Sequence, residues 1–284
     1  MKPGLRKAEE AVFKALMAFS LGLVLACLLG IVGTILWRGI GAVNLAMLFQ
    51  TPKGGYYMGK EGGIANAIVG SFIMASGGIV LASLVGLPVA FALQREYCGN
   101  ALARGTRLVL DILWGMPSIV YGAFGFLVMR ALGIRASVLG GTVTLALLML
   151  PVMIRAIEEV IRMVPAELKE LSYAMGATRW ETTFRVVLRQ ALPGVVMGIM
   201  LAFGRGIGDA ASLLFTAGYS DYIPRSVADP AASLPLAVFF LIGTPVPEVQ
   251  QRAYAAALVL MVVVLLVSLG SRALGRRMSR HVVR

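Results

Sequence analysis

Charge is scarce in this chain of 284 residues: Asp, Glu, Lys and Arg make up 14% of it, against roughly a quarter in soluble globular proteins. That scarcity, with 58% hydrophobic residues and a mean hydropathy of +0.84, excludes a soluble enzyme. It also excludes disorder, whose signature is low hydrophobicity. Histidine is almost missing. His281 is the only one, which leaves neither a histidine-built zinc site nor a Ser-His-Asp triad. The two cysteines, Cys27 and Cys98, fall in a predicted span and a predicted cytoplasmic loop, so no disulfide and no thiolate cluster is expected. Acidic residues are outnumbered 14 to 26. The resulting charge of +12 suits the basic cytoplasmic loops of a membrane protein better than it suits a nucleic-acid partner.

Long apolar runs are what the chain does have. Six stand out, at about 16–37, 64–93, 106–131, 138–157, 193–216 and 253–275, and about 20 residues suffice to cross a bilayer as helix. The first follows Lys2, Arg6, Lys7 and Lys14, but its apolar stretch exceeds the 7–15 residues of a cleavable signal, so it reads as a retained helix. The expected fold is therefore an all-α membrane protein with six transmembrane helices. It comprises a tail at 1–15, a membrane domain at 16–275 and a basic tail at 276–284. An even number of spans puts both termini on one side. With Arg272 counted in the C-terminal tail, the tails and the 94–107 and 155–192 loops carry 18 Lys and Arg, and the opposite loops carry 7. That asymmetry sets the termini and the long loop in the cytoplasm.

Pro88, Pro117 and Pro151 sit inside three of the runs and are expected to kink them. Gly204 and Gly208 form a G-x-x-x-G, read as a site of close helix approach. The Gly54-to-Lys60 stretch matches G-x-x-x-x-G-K, but Glu61 stands where a P-loop needs Ser or Thr, and no strand precedes it. A negative charge there would repel phosphate oxygens, so nucleotide binding is rejected.

The loop at 158–192 has its own pattern. Pro165 suits a first helical turn, and Leu168, Leu171 and Met175 recur at helical spacing along one apolar edge. Gly176 suits a helix stop in the left-handed conformation. Thr178 and Glu181 form a capping box for a second helix, whose stripe is Trp180, Phe184, Val187, Leu188 and Ala191. Such a helix pair fits either the headgroup layer or the groove of a protein partner.

These residues bring a family into view. Glu170-Leu-Ser-Tyr-Ala-Met-Gly176 resembles the E-A-A-x-x-x-G motif of ABC importer permeases, with Leu171-Ser172 in place of Ala-Ala. Gly115-Met-Pro-Ser-Ile-Val-Tyr-Gly122 and Gly204-Arg-Gly-Ile-Gly-Asp209 are similar to the phosphate-specific members, and Gly62-Gly-Ile-Ala-Asn-Ala-Ile-Val-Gly70 to their PstA-type subunit. The resemblance covers about 62–217 and implies a type I ABC importer permease fold with a cytoplasmic coupling helix. It also implies that Glu170, Leu171, Ser172, Ala174, Met175, Gly176 and Ala177 dock on a separate ATPase. The implied partners are a homologous PstC-type permease, two PstB-type ATPase subunits and an extracytoplasmic phosphate-binding protein. ATP and magnesium would belong to the ATPase, with no cofactor on this chain, and the setting would be a prokaryotic inner membrane. The 38–63 and 217–252 loops would meet the binding protein.

Arg205 lies in the fifth run, where an ionised side chain costs roughly 2.5–3.5 kcal/mol to insert. Asp209 follows four residues on and, in an unbroken helix, would share its face. The pair could simply lock packing, or Arg205 could offer its guanidinium to an oxyanion while Asp209 positions it. The phosphate-permease resemblance favours the second role. Ser118 and Tyr121, beside Pro117, are candidate hydroxyl donors to the same path. Permeases for molybdate, tungstate or sulfate are the alternatives within the class. An ATP-independent channel or secondary transporter is the alternative outside it, though no convincing internal repeat is found.

Overall fold

The computed structural model describes residues 3–53, 62–94 and 97–278. The Gly54-to-Lys60 stretch, Glu61 and His281 lie outside the described residues. Five described helices are long and apolar enough to cross a membrane, and a bent helix pair makes six when it is taken as one span. The chain is a multi-pass, all-helical membrane protein.

Helix α1 (Pro3–Ala42) contains the first predicted span and extends beyond it on both sides. None of its apolar window is buried in the chain. Only its far end docks: Arg38 donates to the Tyr254 hydroxyl at 3.0 Å and lies over that ring. A short helix α2 (Leu45–Phe49) is capped by Asn44 and leads to α3 (Ala65–Ala92), the second span. The third span is in two pieces, α4 (Asn100–Gly115) and α5 (Ser118–Ala131), set at 102°. Helix α6 (Val138–Arg162) is the hub, with 72% of its apolar window buried. Helix α7 (Ala166–Ala174), α8 (Arg179–Glu181), a π-helical stretch at Thr182–Val187 and α9 (Leu188–Ile207) follow. Then come α10 (Leu234–Ile242) and α11 (Pro247–Met278).

Small residues let the neighbours of α6 approach it closely, since apolar side chains gain little from meeting each other rather than lipid. On α3, Gly78, Ala82, Gly86 and Ala90 are buried at four-residue spacing. A Cβ at Gly78 would press on Leu145, and one at Gly86 on Met153. On α9 the corresponding stripe is Gly194, Gly198, Ala202 and Gly206, set against Val160, Ile157 and Met149. This corrects the expectation for Gly204 and Gly208. Gly204 meets only Val267, at ordinary contact distance, and Gly208 ends the helix. The close-packing stripe lies two residues away, on another face.

Three other expectations change. Pro117 does more than kink its span and breaks it outright, while Pro88 and Pro151 lie inside α3 and α6. A Pro offers no N–H to Leu113 and disfavours helix at Met116 before it, and Met116 is indeed extended, with ψ 136°. The fifth run is helical only to Ile207; Gly208 to Ala217 carry on as turns along α6, with Gly141 against Leu213 and Ala217 and Gly140 against the Thr216 carbonyl. Ser212, Leu213, Thr216 and Ala217 in that segment are buried. Irregular backbone at membrane depth is tolerated where protein encloses it. Here Ser137 N–H donates to the Thr216 carbonyl and Ala231 N–H to that of Ala217. Finally, 217–252 is not simply an exposed loop. Its apolar helix α10 is packed between α3 and α11, with Leu234, Leu236 and Ala237 fully buried. Cys27 and Cys98 are free thiols.

Candidate translocation path and coupling face

Helix α7 ends as its sequence predicts. Gly176 has φ +82°, a conformation without penalty for glycine. Around it, Ala177 N–H donates to the Ser172 carbonyl at 3.1 Å and Gly176 N–H to that of Tyr173 at 2.9 Å, which is a Schellman stop. Thr178 then caps the next helix: Glu181 N–H donates to its hydroxyl, and Thr178 N–H donates to the Glu181 carboxylate at 3.0 Å. The two arms are tied by the Ser172 and Thr182 hydroxyls, 2.9 Å apart.

The outer edge of this corner is uncovered. Glu170 and Ala174 are exposed, and so are Leu171 (62%) and Met175 (88%), while Ser172 and Ala177 are half-buried. Trp180 is 65% exposed, and nothing stands within 4 Å of a Cβ placed on Gly176. The second arm does not stop before Pro193, as the predicted loop boundary at 192 implied. It runs unbroken from Arg179 to Ile207, with Pro193 inside it. Likewise α6 continues through Arg162, so the true connection starts at Met163.

Behind the corner lies an ionic cluster that sequence reading missed. Glu158, its side chain 5% exposed, accepts from Arg107 at 2.6 Å, Arg162 at 2.8 Å and Arg155 at 3.0 Å. Arg155 also pairs with Asp111 at 2.6 Å, and Arg107 donates to the Leu93 carbonyl at 3.0 Å. The cluster ties α4 to α6. Arg155, Glu158 and Arg162 stand at helical spacing in the sequence, which is the local signal for it. Arg107 and Asp111 come from about fifty residues earlier and give no such sign.

Further into the membrane, the structure separates Arg205 from Asp209. Arg205 is in the last turn of α9, whereas Asp209 lies beyond the helix end. Its Oδ2 instead accepts from Ser212 N–H at 2.8 Å and shapes the turn. No described carboxylate lies within salt-bridge distance of Arg205. Its side chain borders a cavity of about 750 Å³ between α6, α9 and α11. Tyr121 is buried, and its hydroxyl donates to the Leu113 carbonyl at 2.7 Å. Pro117 cannot supply that carbonyl's i+4 N–H; it accepts instead from the Met116 N–H at 3.2 Å and from the hydroxyl, which reinforces the break. Ser118 opens α5 and is half-buried. Of the four candidates only Arg205 borders that cavity; Ser118, Tyr121 and Asp209 shape the two broken segments. Those segments face each other, for a Cβ on Gly122 would meet the Ser212 carbonyl. Among the described residues no group of His, Cys, Asp and Glu could hold a metal ion.

Comparison with known proteins places this architecture. The family described as "Binding-protein-dependent transport system inner membrane component" matches residues 82–280. A phosphate transport system permease protein PstA of Xylella fastidiosa is 37% identical over 248 residues, 85% of this chain and 83% of that protein. PstA 1 of Mycobacterium tuberculosis is 40% identical over 212 residues, 74% and 69% of the two chains. A probable PstA of Methanocaldococcus jannaschii is 37% identical over 213 residues, 72% and 73%. Among solved structures, the inward-facing MetNI methionine ABC transporter superposes with a TM-score of 0.62 at 22% identity, over 76% of this chain and 95% of that one. A bacterial alginate ABC transporter gives 0.66 at 12% identity over the whole of both chains. These two establish the type I ABC importer permease fold, and the sequence relatives the branch within it. The chain belongs to the inner membrane components of binding-protein-dependent transport systems, among the PstA-type permeases.

Proposed function

We propose that this chain is the PstA-type permease subunit of an ATP-driven phosphate importer. It forms half of the translocation path beside a homologous PstC-type permease. Two PstB-type ATPase subunits bind and hydrolyse ATP with magnesium, and this chain carries no cofactor. An extracytoplasmic phosphate-binding protein delivers the anion, and the termini and the 158–192 connection face the cytoplasm of a prokaryotic cell.

One observation carries the mechanism: a single unbroken helix joins the uncovered corner to Arg205. From Arg179 to Arg205 it rises about 40 Å. The ATPase grips Glu170, Leu171, Ser172, Ala174, Met175, Gly176 and Ala177. Closure of the ATPase pair then moves the Arg179–Ile207 helix as one body and shifts the guanidinium at its other end. Arg205 attracts a tetrahedral oxyanion by charge-assisted hydrogen bonds, and Asp209, Ser118 and Tyr121 hold the broken segments that shape the path. The Glu158 cluster keeps α4 and α6 together while the lever moves.

Reconstituted transporter carrying Arg205→Gln tests this, with the binding protein and ATP supplied. Phosphate uptake is expected to fall at least tenfold while the complex assembles normally. Unchanged uptake at normal membrane levels removes Arg205 from the mechanism. Competition by arsenate but not sulfate distinguishes a phosphate path from one for another oxyanion.

A further inference from the structure

The cavity that Arg205 borders holds a second cation. Arg272 of α11 lines it too, together with the hydroxyls of Ser268 and Ser271, and no acidic residue lines the cavity. Neither guanidinium has a described carboxylate within salt-bridge distance. The positive-inside count had placed Arg272 in a solvated cytoplasmic tail; the helix instead continues past it to Met278.

Packing contacts fix the register of the two antiparallel helices. A Cβ on Gly204 would meet Val267, and one on Gly275 would meet Met197. Arg272 is thus level with residues 199–200 of α9, five residues below Arg205. At 1.5 Å per residue the two are offset by about 7–8 Å along the axis. Val160 and Gly194 border the cavity at the lower end, and Trp114 at the upper. A volume of about 750 Å³ leaves room for an oxyanion with several waters, each occupying about 30 Å³.

We propose that Arg272 is a second oxyanion-binding station, one to two helical turns nearer the cytoplasm than Arg205, with Ser268 and Ser271 as hydroxyl donors between them. This rests on the reading of Arg205 as a path residue. A multiply charged anion leaving one cation in a largely apolar cleft faces a steep rise in energy, and a second cation within one step flattens it. Two like-charged stations also keep each site weak enough to release, which conduction requires. Walls that carry only positive charge concentrate anions in the cleft.

The test uses the complete transporter in proteoliposomes, in a Cys27→Ala, Cys98→Ala background with Ser271→Cys as reporter. Rates of modification by an anionic and a cationic methanethiosulfonate are compared. Arg272→Gln is expected to lower the anionic-to-cationic rate ratio about tenfold, and inorganic phosphate is expected to slow the anionic reagent. In the native-serine transporter Arg272→Gln should cut phosphate turnover about tenfold, with Arg272→Lys keeping half or more. A reporter inert to both reagents, or a ratio and an uptake both unmoved by Arg272→Gln, overturns the proposal. Impaired Arg205→Gln beside normal Arg272→Gln rejects only the second station; normal uptake in both rejects the path itself.

Discussion

Glu158→Gln should destabilise the protein severely while barely changing its shape. The carboxylate is 5% exposed and takes hydrogen bonds from three arginines at 2.6, 2.8 and 3.0 Å. Removing one partner from a buried pair costs about 3–5 kcal/mol, because the remaining charge is left uncompensated. Three features reduce that here. Arg155 keeps Asp111 at 2.6 Å, Arg107 keeps the Leu93 carbonyl, and the Arg162 side chain is 48% exposed and can be hydrated. The low end, about 3 kcal/mol, is therefore expected, which corresponds to roughly a 5–10 °C fall in apparent Tm. Thermal unfolding of the purified complex, followed by its own tryptophan fluorescence, measures it. A double-mutant cycle then separates pair from site: Arg107→Met with Glu158→Met should lose at least about 1 kcal/mol less than the two single changes summed. A Glu158→Gln protein that melts within a degree of the parent would refute the reasoning, since the cluster would then contribute nothing beyond what water supplies.

Other expectations can be checked alongside. Gly176→Asn keeps the left-handed turn, which Asn tolerates, and meets nothing in its own chain; it should leave permease levels unchanged and reduce ATPase co-purification at least several-fold. Tyr121→Phe removes one of two donors to the Leu113 carbonyl, which keeps the Met116 N–H, and should cost about 1 kcal/mol of stability, with the KM for phosphate unchanged; a raised KM would mean that the hydroxyl meets the anion instead. Burial raises the carboxyl of Asp221 above its usual 3.8, only partly opposed by Arg252, and its Oδ1 has no hydrogen-bond partner. A raised carboxyl favours the folded state fully below the unfolded pKa, and that contribution is lost as pH rises through the folded value. Thus Asp221→Asn should raise Tm near neutral pH and flatten its fall as pH rises above the usual carboxylate range; a lowered Tm at pH 7 would show that the ionised form is the stabilising one.

What the sequence made legible follows periodicity and local chemistry. The four unbroken spans with a 3.6-residue pattern or a long apolar run were placed closely, as 64–93 against Ala65–Ala92 shows. The Gly176 stop and the Thr178 capping box were readable because each depends on residues within five positions. Two things hid the rest. Hydropathy reports depth in the membrane, not whether the backbone stays helical, so 106–131 and 193–216 looked like uniform spans although each contains a break. Long-range pairing gives no local trace either. Arg107 with Glu158, and Arg272 beside Arg205, are joined only by the packing of helices far apart in sequence. For the same reason Asp209 was read as Arg205's partner, since spacing of four implies proximity only while the helix persists.

The two broken spans explain each other. Pro117 frees carbonyls at the end of α4, and the turn at Gly208 frees those at the end of α9; in lipid each orphan would cost several kcal/mol. At each break a group close in sequence takes up an exposed backbone atom: the Tyr121 hydroxyl donates to the Leu113 carbonyl, and the Asp209 N–H donates to the Gly206 carbonyl at 3.2 Å, while the Asp209 carboxylate accepts from the Ser212 N–H. The broken segments then pack on one another through Gly122, Gly125 and the carbonyl-lined turn at Ser212 to Thr216, a fit that side chains larger than hydrogen would block. A helix that ends inside the membrane presents its last residues to whatever fills the space beyond it. That is where Arg205 stands, one turn from the end of a helix whose other end begins at the exposed corner. An unbroken span would have set Asp209 one turn beyond Arg205 on the same helix face, close enough to neutralise it. Breaking the helix at Gly208 separates the two charges and leaves the guanidinium available to an anion.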